Sequence, residues 1–292
     1  MTDIEADTGT RDETLELRSG ALRLALRPDL GGSVAGLWHH HVPVWCSTEP
    51  HALVAAEQAA CIPLVPYAYR LGYARLRWKG QDLRLEPDAS AHPHALHGVG
   101  WRQRWALRSH SPLDAVMVCT HQPDDRWPFG FEATQYFNLT PQALRIQMSV
   151  TNTGDQPQPV GMGWRPRFVR RLRSRLHAEL TERWEADDAQ LPTRSVSQPG
   201  IDGDVAHLSF CHGFEGWRGA MRIRDETFSL QLSSSMSRLV VSTTEEADAF
   251  AVSPVSHVVN AIHMADPALH GLVTLQPGES CEAWMKLEIA PR

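Results

Sequence analysis

Apolar and polar residues alternate along much of the chain. Leu22, Leu24 and Leu26 alternate with Arg23, Ala25 and Arg27. Successive side chains of a strand point to opposite faces, so this stretch predicts a half-buried strand. Pro28 and the Gly31-Gly32 pair end it. LRIQMSVTNTG repeats the pattern: Leu144, Ile146, Met148 and Val150 share one face, and Arg145, Gln147 and Ser149 the other. Residues 152–154 then read as a turn. LELRSG, FSLQLSSS and RLVVSTTE read as further strands, and LVTLQPGESCEAWMKLEI as two strands around a Pro277-Gly278 turn. One short helix of weak apolar period is predicted over HAELTERWEADD. Twenty prolines and twenty glycines interrupt the longer segments. Many strands with few helices predict a sandwich or barrel rather than alternating strand–helix units. No short repeat and no linker divides the chain, so residues 14–292 are expected to form one β domain, preceded by a frayed polar tail over residues 1–13.

Composition narrows the function classes. At 42% hydrophobic and 21% charged residues, the chain is expected to fold around a core. The net charge of -6 and the scattered arginines argue against a nucleic-acid partner. The densest basic run is RRLRSR. It reads either as a solvated edge or, if Arg171, Arg173 and Arg175 share a strand face, as an anion contact. No run of roughly 18 apolar residues predicts a membrane span, and the start lacks an apolar signal core. Five scattered cysteines without a CxxC pair predict reduced thiols in a cytoplasmic protein.

The stretch HALHGVGW, residues 94–101, holds the densest candidate chemistry. His94 and His97 suggest zinc, but no HExxH or CxxC spacing accompanies them, so no metal is expected. Acid–base use of an imidazole fits better, because histidine titrates near neutrality. Gly98 permits a ligand or a neighbouring backbone to approach closely. Trp101 and Trp105 could line a groove or pack in the core. Ten tryptophans suit a sugar site, where indole faces meet the C–H faces of pyranose rings, and suit an aromatic core equally.

The order of several segments resembles a known family. CIPLVPYAYRLGYARLRWKGQDLRL resembles its segment ending in Pro-x-x-Asn-Arg-Ile, followed by a hairpin. HALHGVGWRQRW resembles its Leu-His-Gly-x-Gly-Trp segment, and PVGMGWRPRF its Pro-x-Gly-x-Gly-Trp-His-Pro-x-Phe segment. FAVSPVSHVVNAI resembles its Phe-x-x-Glu-Pro segment, and LVTLQPGESCEAWMKLEI its closing strands. The family is aldose 1-epimerase, or galactose mutarotase, with its hexose-6-phosphate epimerase-like branch. The resemblance runs over roughly residues 14–290. It implies an all-β fold, the large antiparallel galactose mutarotase-like supersandwich. It also implies an open cleft for a monosaccharide or sugar derivative, and anomer interconversion without any cofactor. In that chemistry a carboxylate takes the proton of the C1 hydroxyl while a histidine protonates the ring oxygen.

Carried over by position, the resemblance makes His97 the catalytic histidine candidate on the ring side of the sugar. Arg70, Arg165 and Ser253 become substrate-binding candidates by position, and Trp101, as a groove liner, and His257, four residues past Ser253, join them. Three positions depart from the pattern: Tyr69 stands where the family has asparagine, Arg165 where it has the acid histidine, and Ser253 where it has the glutamate. An arginine keeps its charge to above about pH 12, so it clamps anions and donates protons poorly. An unactivated serine is a weak base. Arg70, Arg165 and Arg167 could instead hold a carboxylate or phosphate, while Glu132, Glu215 and His257 are candidates for the missing proton transfer. Three readings follow. The first is an aldose 1-epimerase-like isomerase. The second is a sugar-binding or regulatory protein on that scaffold, and the third an enzyme of altered chemistry on an anionic sugar. The oligomeric state is not legible.

Overall fold

The computed structural model describes residues 14–244 and 248–292. The expected tail therefore lies outside the described residues. Two large sheets carry the fold. The first has eleven strands, running in the order Leu15–Ser19, Leu22–Arg27, Ser33–His39, Cys61–Leu64, Gly163–Val169, Ala249–Val255, Arg238–Thr243, Phe210–Glu215, Glu182–Ala186 and Pro192–Ser197, with Val42–Pro43 paired beside Ser33–His39. The second has nine: Ala106–His110, Asp114–His121, Phe131–Thr140, Ala143–Asn152, Ser280–Pro291, Phe228–Ser234, Ala220–Arg224, Arg175–Ala178 and Ile201–Asp204. Neighbouring strands pair antiparallel throughout, for example Ala143–Asn152 with both Phe131–Thr140 and Ser280–Pro291. Helical structure among the described residues consists of short 3-10 turns, none long and apolar enough to cross a membrane.

The alternation read in the sequence matches the burial. Leu144, Ile146, Met148 and Val150 are at most 1% exposed, while Arg145, Gln147 and Ser149 are half-buried. Their inward faces join one core that draws on residues from Leu17 to Ile289. That core takes Trp45, Trp105, Trp127 and Trp164 in full, so much of the tryptophan count is packing.

Three local expectations are corrected. HAELTERWEADD forms no helix; it supplies parts of the strands Arg175–Ala178 and Glu182–Ala186. Its weak helical period gives way to partner strands that take the backbone hydrogen bonds, and Leu176 and Ala178 go inward. The strand Leu22–Arg27 is buried on both faces, because Arg27 turns inward and is held by Asp29 at 2.6 Å and by the carbonyls of Pro50 and Leu53. RRLRSR makes no stripe, because residues 170–174 turn before the strand starts at Arg175. Arg171 reaches Asp225 at 3.1 Å and Arg175 reaches Asp202 at 3.0 Å, so the run disperses into separate ion pairs.

Candidate functional site

The two histidines of HALHGVGW do the same structural job and then diverge. His94 Nδ1 accepts the backbone N–H of Tyr73 at 2.9 Å, and His97 Nδ1 accepts that of Tyr69 at 3.1 Å. Together they pin residues 69–73, where Tyr69 and Tyr73 adopt left-handed backbone angles (φ 61° and 56°) that non-glycine residues seldom adopt. His97 itself sits at φ 62°, and its N–H donates to the Tyr69 carbonyl at 2.9 Å. Gly98 follows at φ 70°, where a Cβ would stand 2.2 Å from the Val65 carbonyl oxygen. The close approach that this glycine permits is thus to backbone. The second ring nitrogens separate the pair. His94 Nε2 meets the Ala189 carbonyl at 3.0 Å, whereas His97 Nε2 has no protein partner among the described residues and faces a cleft.

That cleft has a volume of about 340 Å³, within the range of small-molecule sites. Tyr69, Arg70, His97, Trp101, Arg165 and Glu57 form its chemically distinctive walls. Arg165 arrives by strand register. Gly163 lies opposite Val255 and Arg167 opposite Ala251, which sets Arg165 across from Ser253. Tyr69, from the 65–70 segment, reaches between them. Its hydroxyl donates to Ser253 Oγ at 2.8 Å, and the Arg165 guanidinium faces the same phenol. The three positions expected to depart from the family pattern therefore meet at Tyr69. Ser253 is fully buried behind Tyr69, so it supports the cleft wall and leaves the phenol to face the space.

Trp101 closes the wall behind His97, edge to face at 5.8 Å. It is 2% exposed, and its indole N–H is given to the Leu96 carbonyl at 3.3 Å. It offers a ligand little more than an edge.

The electrostatics are one-sided. Burial, reinforced by the charges of Arg165, Arg70 and Arg102, holds the His97 pKa well below the ordinary 6.5. The ring is neutral at pH 7. Because Nδ1 accepts, the proton belongs on Nε2, aimed into the cleft. Burial raises the Tyr69 phenol, against the opposing pull of Arg165 and Ser253, so it stays protonated. Neither Arg70 nor Arg165 has an ion pair among the described residues. Glu57 is the carboxylate on this wall; it is half-exposed and paired with Arg102 at 3.0 Å, which also holds Asp88 at 3.0 Å. The cleft thus presents donors almost everywhere and a committed acceptor at its edge.

The other sequence candidates lie elsewhere. His257 is not in this cleft: Nε2 accepts the Ala68 N–H at 3.0 Å and Nδ1 meets the Val258 carbonyl at 2.7 Å, leaving nothing for a ligand. Its ring packs against Gly161, where a Cβ would collide at 1.9 Å. Glu215 is held by Arg238 at 2.8 Å and the Trp184 indole at 2.9 Å. Glu132 belongs to the Phe131–Thr140 strand of the nine-stranded sheet and is not part of the cleft wall. Arg167 shares the face of Arg165 but gives a hydrogen bond to the Gln58 carbonyl at 3.2 Å, outside the cleft lining. Tyr69, Glu57 and Cys211 are among the wall residues that sequence reasoning passed over as site residues. The Tyr69 departure from the family asparagine was the one signal pointing to any of them. No cluster of metal-ligating side chains occurs among the described residues.

The structural role of His257 has a pH signature. Burial, only partly offset by the Val258 bond, lowers its pKa from 6.5 to about 4. The unfolded chain therefore binds a proton that the native ring refuses between those values. Stability is complete above about pH 6.5 and falls as pH drops toward 4, by about 3 kcal/mol from this ring. Urea midpoints measured across this window should show the decline. His257→Gln, which keeps an acceptor for Ala68, should flatten it; an unchanged slope would assign the effect to other groups.

Known proteins resemble this chain in sequence and architecture. The family profile described as Aldose 1-epimerase matches residues 13–288. The uncharacterized protein YphB of Escherichia coli K12 is 29% identical over 293 residues, covering 94% of this chain and 97% of its own. A crystal structure from Escherichia coli K12, provisionally described as an aldose 1-epimerase, superposes with a TM-score of 0.87 at 26% identity, covering 96% of this chain and 99% of the other. A galactose mutarotase-like protein of Clostridium acetobutylicum superposes at 0.82 with 16% identity over 96% and 95% of the two chains, a likeness of fold. The architecture is the galactose mutarotase-like supersandwich, and the chain belongs to the aldose 1-epimerase family.

Proposed function

We propose that this chain is an aldose 1-epimerase-like carbohydrate protein whose cleft takes the anomeric end of an anionic sugar. One observation carries the reading: two guanidinium groups, Arg70 and Arg165, line the cleft without a carboxylate partner among the described residues, beside a neutral imidazole whose free N–H faces the same space. Donors without acceptors ask for an acceptor-rich ligand, and unpaired arginines favour a carboxylate or phosphate.

Ring opening needs a proton delivered to the ring oxygen and one removed from the C1 hydroxyl. The first half has candidates. The Tyr69 phenol can donate once its proton turns from Ser253 Oγ to the sugar, with Arg165 placed to stabilise the phenolate left behind, and His97 Nε2–H can hydrogen-bond the same region. The second half falls to Glu57, which must leave Arg102 to act. Activity on an anionic aldose such as galacturonic acid is therefore expected, and Glu57→Gln should reduce it, as read by anomer exchange in NMR. His97→Ala should weaken galacturonic acid binding by roughly threefold to tenfold, the worth of one neutral hydrogen bond. Calorimetry showing unchanged affinity, together with unchanged exchange, would remove His97 from the site. Binding without turnover is the second reading. It is favoured by the commitment of Glu57 to Arg102, and it predicts normal galacturonic acid affinity with no acceleration of exchange.

A further inference from the structure

The cleft does not end at Tyr69 and Arg70. These two residues and Cys211 also wall a second space, walled beyond them by Trp184, Gln190, Pro192, His212 and Val258. We infer that this groove is a second-ring subsite: the ligand is at least a disaccharide-sized sugar, with its further ring lying along Trp184. The inference rests on the proposed sugar reading of the first cleft.

The two spaces differ in chemistry in the way two parts of a sugar ligand differ. The first is charged and rich in donors. The second is walled largely by apolar side chains, with the Gln190 amide as a hydrogen-bonding group for ring hydroxyls. Trp184 is half-buried, and its orientation is set by its indole N–H to Glu215 at 2.9 Å and by edge contact with His270 at 5.4 Å. The groove is small, with a volume of about 40 Å³. A ring there lies along the wall with its other face toward solvent.

The wall is also built in advance. Trp184 and Pro192 stand on the two strands of the hairpin at the end of the eleven-stranded sheet. The turn between them closes on Asp187, which receives the Gln190 N–H at its carbonyl (2.9 Å) and the Leu191 N–H at its side chain (2.9 Å). Gln190 is held at φ 59°, a conformation a free chain seldom populates. His94 fastens this turn to the cleft through the Ala189 carbonyl. The first histidine of HALHGVGW is thus a positioning residue for the groove wall. A wall ordered before binding costs the ligand less.

The test compares galacturonic acid with its 1→4-linked dimer by calorimetry at moderate salt. The dimer is expected to bind about tenfold or more tightly. That advantage should shrink in Trp184→Ala and in Gln190→Gly; the latter keeps the backbone angle and removes the amide. Cys211 supplies a second measurement, because it is exposed at the junction while Cys61 and Cys119 are buried. Its alkylation by iodoacetamide, followed by peptide mass, should be slowed more by the dimer than by the monomer. Equal affinity and equal protection by both sugars would overturn the second subsite and leave a one-ring cleft. An advantage that persists in both variants and vanishes with added salt is general charge attraction, and overturns it too. Failure of galacturonic acid itself to bind would overturn the sugar reading, and this inference with it.

Discussion

Freshly dissolved α-glucose or α-galactose is expected to mutarotate in the presence of this chain about 10²–10⁴-fold more slowly than with a carboxylate–histidine pair of the family type. The factor is the usual worth of general acid–base assistance. Here the position expected to hold the carboxylate is Ser253, fully buried and engaged by Tyr69 at 2.8 Å. The position expected to hold the acid histidine is Arg165, a permanent cation. Polarimetry decides the matter. Family-normal turnover would show that another group supplies the base, with Glu57 the first residue to replace. Because the three positions expected to depart meet at Tyr69, repair is expected to need all three. Ser253→Glu alone forces a carboxylate into the space under the Tyr69 phenol. Tyr69→Asn with Arg165→His and Ser253→Glu opens that space, and should raise the rate above every single variant.

The second large effect is selection for charge. A hydrogen bond from Arg165 to an anionic substituent contributes about 1.5–3 kcal/mol, or roughly one to two decades in affinity. Calorimetry should therefore rank galacturonic acid well above galactose at low salt. The gap should narrow as salt screens the cleft, and should close largely in Arg165→Ala. Arg167→Ala is the control, since that side chain is spent on the Gln58 carbonyl and lies outside the cleft wall. Equal binding of charged and neutral sugars, unmoved by Arg165→Ala, would sink the anion clamp. Half-burying a guanidinium that faces a phenol and no carboxylate carries a desolvation cost, which a bound anion relieves. Arg165→Ala is accordingly expected to leave the unliganded protein no less stable.

Local features were legible in the residues alone. Period-two burial along residues 143–152 follows from strand geometry, since alternate side chains must take opposite faces whatever lies beyond them. The order of the segments also sufficed for the family. Spacing and composition alone could not distinguish His94 from His97, which the family resemblance separated by position; two rings with the same Nδ1 contact differ physically in what meets Nε2: Ala189, 95 residues from His94, against open space. His257 failed for the same reason. Its ring is spent on Ala68, 189 residues away in sequence, and on the neighbouring Val258 carbonyl. Even the helix expected over HAELTERWEADD yielded to strands supplied from elsewhere in the chain. Only the tertiary structure joined Tyr69 to Ser253 across 184 residues and left two arginines unpaired beside them. Hydrogen bonding and charge act over a few ångströms of space, and antiparallel pairing of distant strands decides which residues share those ångströms.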